Sequence, residues 1–452
     1  MSNSGAIGDP VVHRHYNRVS ELVPRTSSDV TTEAAERRSF GLEFLRESRA
    51  PSPVEPRLIS SAHGEITQIL LTIPAYAVRA AAGLPNPLSA SYRDLLMKLP
   101  NGIRTIVVTH EAVGQEVESW LAEAGFLERA VVIPAPDHLN FSVWAEDGYV
   151  VVEDAQSASR YLVEPYEFPR VGDSLIADLV RNQSELLGNQ APLYFQGGNV
   201  LVGDRFFLIG ADYPANTLRR YLNRVIVPAP GEAPAATVHR LYREYLDTGR
   251  ELVYVGSTIP VPSEERRRLT IDGEDWTELL HFGNAAGTVQ PVFHIDMFIS
   301  LAGRDNDGAY QVLVGSPRLA AEVLQVPLWP HSMQEAFDNI AQGLQRQGFK
   351  VIRNPLPLAY MDDPQSRMRT WYFATANNAL VQISGKAGRR VWLPTYGHGD
   401  WTALQETDRA NRDIWTELGF SVTLLGDFHP FAENLGAVHC IKKYLDRTNE
   451  TG

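Results

Sequence analysis

Val200-Leu201-Val202-Gly203-Asp204-Arg205-Phe206-Phe207-Leu208-Ile209 reads as two short apolar strands, Val200–Val202 and Phe206–Ile209, across a Gly-Asp turn. A tight hairpin of this kind is foreign to a purely parallel doubly wound sheet, whose strands need long crossovers. Beyond it, Ala235–Asp247 has helical spacing and Glu251–Val255 reads as a further strand. The same alternation extends both ways. Strand-like runs are Ile66–Ile73, Thr105–Thr109, Ala130–Ile133, Tyr149–Val152, Phe293–Leu301, Tyr310–Gly315, Lys350–Arg353, Leu380–Ile383, Arg390–Leu393 and Ser421–Leu425. Helix-like segments are Leu88–Leu99, Glu111–Ala124, Asp173–Leu187, Met333–Gln347 and Trp401–Leu418. Strand pairs interleaved with helices predict an α/β fold of small mixed sheets arranged about a centre, although no repeat is visible in the sequence itself.

Residues 1–60 differ in character, with the Pro-rich run Ala50–Pro56, and are expected to form a partly ordered N-terminal extension that includes a helix over 32–46. Residues 61–452 are expected to form the catalytic α/β domain. The 452 residues carry 41 Lys and Arg against 54 Asp and Glu, a net charge of −13. This field repels nucleic acid and anionic membrane surfaces and attracts cations. There is one cysteine, so no intrachain disulfide forms, and no apolar run of membrane-spanning length occurs. The N-terminal residues lack a secretory apolar stretch, which predicts a cytoplasmic protein.

Four segments hold residues suited to chemistry. Cys440, in Gly436-Ala437-Val438-His439-Cys440, is beside a histidine and ahead of Lys442-Lys443, and nearby cations favour a nucleophilic thiolate. Read alone, it is as well explained as a small buried apolar residue, and the lysine pair as a solvated one. Read as a strand, Val292–Leu301 puts His294, Asp296 and Ser300 on one face, where they need partners or a ligand. Trp144-Ala145-Glu146-Asp147-Gly148 places an aromatic beside two acids, a setting that suits a flat cation. Gly197-Gly198-Asn199 permits close backbone approach but lacks the spacing of a phosphate loop. Asp305-Asn306-Asp307-Gly308 reads as an exposed turn.

In chain order, Trp-Ala-Glu-Asp-Gly at 144–148, Gly-Gly-Asn at 197–199, His-Ile-Asp at 294–296, Asn377–Val381 with Trp392–Gly397, and Gly-Ala-Val-His-Cys at 436–440 resemble the guanidino-group-modifying enzyme superfamily, in its peptidylarginine and agmatine deiminase branch. The resemblance implies a pseudo-fivefold α/β propeller (pentein) of ββαβ units around a central active site, with no metal and no cofactor. It implies Cys440 as nucleophile, His294 as general acid and base, and Asp147 and Asp296 as carboxylates gripping the guanidinium. Trp144, Glu146 and Asn199 would support the bound substrate, with His439 and His398 as further acid–base candidates. The implied reaction is deimination of an arginine-containing peptide to citrulline and ammonia. The alternatives are deimination of a free small guanidine (agmatine or arginine) and, third, amidino transfer to an amine. Glu146 departs from the arginine often found there in agmatine deiminases. Lys442-Lys443 departs from their polar residues after the cysteine.

Overall fold

The computed structural model describes residues 37, 41, 44, 45, 52–79 and 86–448. Most of the expected extension, including all but four residues of the helix expected over 32–46, lies outside them. The described chain forms two compact units. One takes 76–79, 86–99 and 255–439, and the other takes the described residues of 24–75 with 100–254 and 440–448.

The hairpin forms as read: Val200–Val202 runs antiparallel to Phe206–Gly210 with Val200 opposite Ile209. Glu251–Val255 joins Phe206–Gly210 to make a three-stranded sheet, after helices Asp212–Tyr221 and Pro234–Leu246. Val200, Val202, Phe207 and Ile209 pack against Val238, Tyr242 and Leu246 of the second helix. Each such fully buried side chain stabilises by about 1.5–3 kcal/mol.

The same pattern, an antiparallel pair followed by helix and then a strand parallel to the second, occurs elsewhere. Val150–Asp154 and Arg160–Glu164 are followed by Leu187–Gln190. Ile299–Arg304 and Tyr310–Ser316 are followed by Lys350–Pro355. Leu380–Ser384 and Gly388–Thr395 are followed by Ser421–Asp427. The last described strand, Lys442–Arg447, lies antiparallel to Ile66–Ile73, which is parallel to Arg104–His110. Lys442–Arg447 thus completes the sheet of Ile66–Ile73 and Arg104–His110. Short hairpins and helical crossovers are what the strand directions require. A further sheet, in the order Glu265–Ile271, Glu274–Leu280, Met368–Phe373, Leu358–Asp363, stands outside the pattern. The fold is mixed α/β, and none of its sheets closes on itself among the described residues.

Four expected elements differ. Glu111–Ala124 and Trp401–Leu418 each begin in a 3-10 segment, Glu111–Val113 and Gly399–Leu404, ahead of the α-helices Gly114–Glu123 and Gln405–Glu417. Asp173–Leu187 is two short helices, Val171–Ser174 and Ile176–Asn182, and the chain then extends into Leu187–Gln190 beside Arg160–Glu164. Phe293–Leu301 is a strand only from Ile299, because Ile295–Met297 forms a 3-10 turn closed by the Phe298 N–H on the Ile295 carbonyl. Asp305–Gly308 is a turn, where Asp305 accepts the Asp307 and Ala309 N–H groups and pairs with Lys350. Among the described residues no helix is long and apolar enough to cross a membrane.

Asp408 of helix Gln405–Glu417 accepts the Tyr396 and Gly397 N–H groups at 2.9 and 2.8 Å. Burial pushes its carboxyl from 3.8 up to about 7, against those two hydrogen bonds. The folded protein therefore holds this proton over a range where the unfolded chain has lost it. The contribution is fully present below pH 4 and is lost as pH rises to about 7, by up to about 1.4 kcal/mol per unit. Asp408→Asn keeps an acceptor and cannot ionise. Relative to wild type it should gain stability as pH rises across this window, read by urea denaturation at each pH. A flat difference would place the shift elsewhere.

Candidate active site

Trp144-Ala145-Glu146-Asp147-Gly148 forms a buried turn just ahead of strand Val150–Asp154. The Asp147 N–H donates to the Trp144 carbonyl at 3.3 Å. The Glu146 N–H donates to the Cys440 carbonyl at 3.1 Å, and the Gly197 N–H donates to the Asp147 carbonyl at 3.3 Å. Main-chain bonds therefore tie three of the sequence segments together within one unit: the acid turn, the cysteine and the Gly-Gly loop. Cys440 itself is 3% exposed.

Glu146, expected to support a bound substrate, is paired with two lysines. Its carboxylate takes Lys442 Nζ on Oε2 at 2.9 Å and Lys443 Nζ on Oε1 at 2.8 Å. Lys443 Nζ also donates to the Glu146 carbonyl at 2.7 Å. The lysine pair expected in solvent is buried, at 0% and 3% exposure. Strand Lys442–Arg447 draws both side chains inside, and Lys442 Nζ lies 3.8 Å from the Tyr444 ring centroid. Burial pushes the Lys443 ammonium down, with Glu146 opposing. The two departures from the agmatine deiminase pattern are thus one buried ion cluster, in which each requires the other. Gly197 serves it as well: a Cβ there would overlap the Glu146 carbonyl and come within 2.5 Å of Lys443 Nζ. Gly197→Ala should therefore cost several kcal/mol. Thermal unfolding measures this, and a Tm within a degree of wild type would show that the cluster yields freely.

Asp147 is held by a residue that the sequence reading missed. Its Oδ2 accepts from Arg170 Nη2 at 2.6 Å, and Arg170 Nε pairs with Asp173. Asp173 also accepts the Ser142 N–H and hydroxyl, each at 2.6 Å, and the Ser142 hydroxyl accepts the Trp144 N–H at 3.2 Å. Burial pushes the Asp147 carboxyl up and Arg170 opposes it. Burial disfavours the Arg170 charge, yet Asp173 and Asp147 more than offset this and hold it protonated. Asp147 therefore already grips one guanidinium, and a carboxylate has further lone pairs for a second. Asn199 is fully buried, and its amide donates to the Gly210 carbonyl at 3.4 Å, which closes the hairpin base.

The other unit carries the histidines. His294, Asp296 and His439 are 1%, 1% and 4% exposed. His439 Nδ1 lies 2.9 Å from Asp296 Oδ2, so the imidazole donates from Nδ1. The His439 N–H donates to Asn378 Oδ1 at 2.8 Å, and the Asn378 amide reaches the Met297 sulfur at 3.6 Å. The Ser300 hydroxyl donates to the Asn377 carbonyl at 2.8 Å, which fixes the strand after the His-Ile-Asp turn to the Asn-Asn segment. The His294 ring lies against Phe293, with centroids 4.0 Å apart. His398 is tied to Thr395 at 2.7 Å. The chain passes from this unit to the other between His439 and Cys440.

No protein-family model matches the chain, and no curated protein matches it in sequence. Solved structures do match. An Enterococcus faecalis agmatine deiminase is 14% identical, with a TM-score of 0.54 over 88% of this chain and 98% of that one. A C. jejuni agmatine deiminase is 11% identical, with a TM-score of 0.54 over 87% and 97%. A structural-genomics target assigned as an agmatine deiminase is 13% identical, with a TM-score of 0.58 over 88% and 99%. At these identities the likeness is one of fold, and it spans nearly the whole of each neighbour.

Proposed function

We propose that this chain, which shares the fold of the agmatine deiminases, hydrolyses a substrate guanidinium to a ureido group and ammonia through a covalent intermediate on Cys440. The recurring strand–strand–helix–strand pattern would then be that of a pentein propeller. The observation that carries the reading is the main-chain bond from Glu146 to Cys440. It ties the main chain of the residue that bears the single thiol to a turn whose next residue, Asp147, pairs with the guanidinium of Arg170. Asp147 and Asp296 would grip the substrate cation by charge-assisted bonds. The Cys440 thiolate adds to the central carbon, and His294 protonates the departing nitrogen as the C–N bond breaks. His294 then takes a proton from water, which adds to the thiouronium carbon. Expulsion of the thiolate leaves the ureido product. Trp144 would wall the site.

Within this reading the substrate is an arginine held in a peptide, with free agmatine or arginine as the second reading, favoured by the solved structures that share the fold. Ammonia release and ureido product, measured in parallel on a blocked arginine peptide, arginine and agmatine, separate them. Turnover of agmatine or arginine alone ends the peptide reading, and product only on adding an amine turns the chemistry to amidino transfer.

The Asp296–His439 pair offers a second imidazole already oriented by a carboxylate, the usual arrangement of a general base. His294→Gln should lower kcat by about 10²–10⁴. His439→Gln, by releasing Asp296, should act mainly on KM. The opposite pattern would move the proton transfers to His439.

A further inference from the structure

Arg170 takes no step in the chemistry proposed above, yet its guanidinium is fixed on three sides. Nη2 donates to Asp147 Oδ2 at 2.6 Å, Nε donates to Asp173, and the Phe168 ring centroid lies 5.0 Å from its central carbon. The Arg170 side chain is 17% exposed, and those of Asp147 and Asp173 are 6% and 5% exposed. The segment that carries it is pressed against its surroundings at two glycines. A Cβ on Gly172 would overlap the Asn140 carbonyl, and one on Gly148 would come within 3.1 Å of the Asp173 carbonyl oxygen. These close main-chain approaches set where Arg170 stands relative to the acid turn.

The charges of this group are unequal. Asp173 alone matches the charge of Arg170, and it also accepts the Ser142 N–H and hydroxyl, which gives it a structural use. Asp147 puts a second carboxylate on the same guanidinium, so the trio has one negative charge in excess. A pair built only to hold the fold gains nothing from that excess, because a surplus buried charge costs stability. A site that receives a cation uses it.

Resting on the deimination reading above, we infer that Arg170 is a positioning residue: it aims Asp147 at the substrate guanidinium and keeps its negative charge available there, while Asp173 supplies the counter-charge of Arg170 itself. Two carboxylates on one small cluster hinder each other's ionisation unless a cation stands between them. Burial pushes the Asp147 carboxyl up, Arg170 opposes this, and Asp173 and Glu146 add to the push. On strand Lys442–Arg447, the Lys443 ammonium and the Asp147 carboxylate favour each other's charge. Glu146, however, holds Lys443 directly, which leaves Arg170 as the cation bonded to Asp147. The bond to Oδ2 also limits rotation of the carboxylate.

The test is the pH dependence of kcat/KM on whichever of a blocked arginine peptide, arginine and agmatine the wild type turns over. Asp147 must be ionised to take the cation, so kcat/KM falls on the acid side as Asp147 gains its proton. Arg170→Gln should lower kcat/KM at pH 7 by about 10–100-fold, chiefly through KM, and should move that acid limb to higher pH. Arg170→Lys restores the charge without the fork and should return the limb toward its wild-type position. Asp173→Asn should move it the other way, to lower pH, because Arg170 then serves Asp147 alone. A protein that is merely loosened loses rate at every pH and shows no such opposed shifts. An acid limb that stays in place in Arg170→Gln, or a shift that Arg170→Lys leaves unchanged, overturns the assignment. Should Arg170→Gln fail to fold, Asp173→Asn decides by itself, and an unmoved limb there refutes the inference.

If none of these guanidines releases ammonia, the deimination reading fails by itself. The hold of Arg170 on the Asp147 charge is then read from urea unfolding of wild type and Asp147→Asn across pH. A carboxyl whose folded pKa is raised contributes stability at low pH, which is lost as pH rises through the folded value. On the Arg170→Gln background that loss should end at higher pH than in wild type, and on the Asp173→Asn background at lower pH. The same window on all three backgrounds refutes the inference.

Discussion

Cys440→Ala is expected to abolish ammonia release from every guanidine that the wild type turns over, at unchanged thermal stability. The sequence has no second thiol, so no other residue can take over the sulfur's part. Removing a covalent nucleophile typically costs on the order of 10³–10⁶ in kcat, which lies below the detection limit of an ammonia assay. The side chain is small and its backbone carbonyl, the group held by Glu146, stays in place, so the fold has little reason to respond. The single sulfur also makes the covalent step directly visible. Acid quenching during turnover should trap one adduct per chain, with the mass of an amidino-bearing fragment, and the alanine variant should show none. Substantial turnover by Cys440→Ala, or a thiol that alkylating guanidine mimics never label, would remove Cys440 from the chemistry and with it the deimination reading.

The hairpin at Val200–Gly210 was legible because both of its strands are apolar and its turn residues are explicit. Pro234–Leu246 and Gln334–Arg346 were legible for the corresponding reason, helical spacing of buried residues. Glu265–Ile271 and Glu274–Leu280 gave no such pattern. Their sequences, ERRRLTI and EDWTELL, are charged, the first is largely exposed and the second buries only Leu279 and Leu280, and their pairing is visible only in the register Arg267–Glu278 and its neighbours. The His-Ile-Asp stretch misled in the other direction. Its apolar residues alternate as in a strand, yet His294, Ile295, Asp296 and Met297 are all buried, so alternation carried no information about facing. Within the candidate site, residue types marked Cys440, Asp147 and His294, whereas partners came only with tertiary structure. Arg170 is one of 41 basic residues, and nothing local distinguishes it until Asp147 and Asp173 are seen on either side. The burial of Lys442 and Lys443 was equally hidden, because the glutamate that permits it is about 300 residues away.

That glutamate gives the second large effect. Glu146→Ala leaves two ammonium groups inside the protein with their shared counter-charge gone. Breaking a buried pair from one side costs about 3–5 kcal/mol, because the remaining charge is desolvated without compensation. Two lysines on one carboxylate place this variant at the upper end. Burial already pushes Lys443 down in the wild type, and losing Glu146 removes the chief influence that opposes this. A lysine whose folded pKa is depressed binds fewer protons folded than unfolded, so stability rises with pH until the unfolded lysine also loses its proton. The Glu146→Ala deficit should therefore be greatest near neutral pH and shrink on the alkaline side, in urea unfolding at pH 7 and pH 9.5. Adding Lys442→Met and Lys443→Met replaces the uncompensated charges with apolar chains of similar length and should recover most of the loss, as apolar replacements of buried ion clusters often do. The triple variant then separates holding from chemistry. If the cluster acts only by keeping the acid turn against Cys440, a refolded triple variant regains turnover along with stability. A stable triple variant that stays inactive would show that the charges themselves act on the thiol. A Glu146→Ala protein as stable as wild type at pH 7 would mean that the lysines find water, and that the cluster does not hold the acid turn.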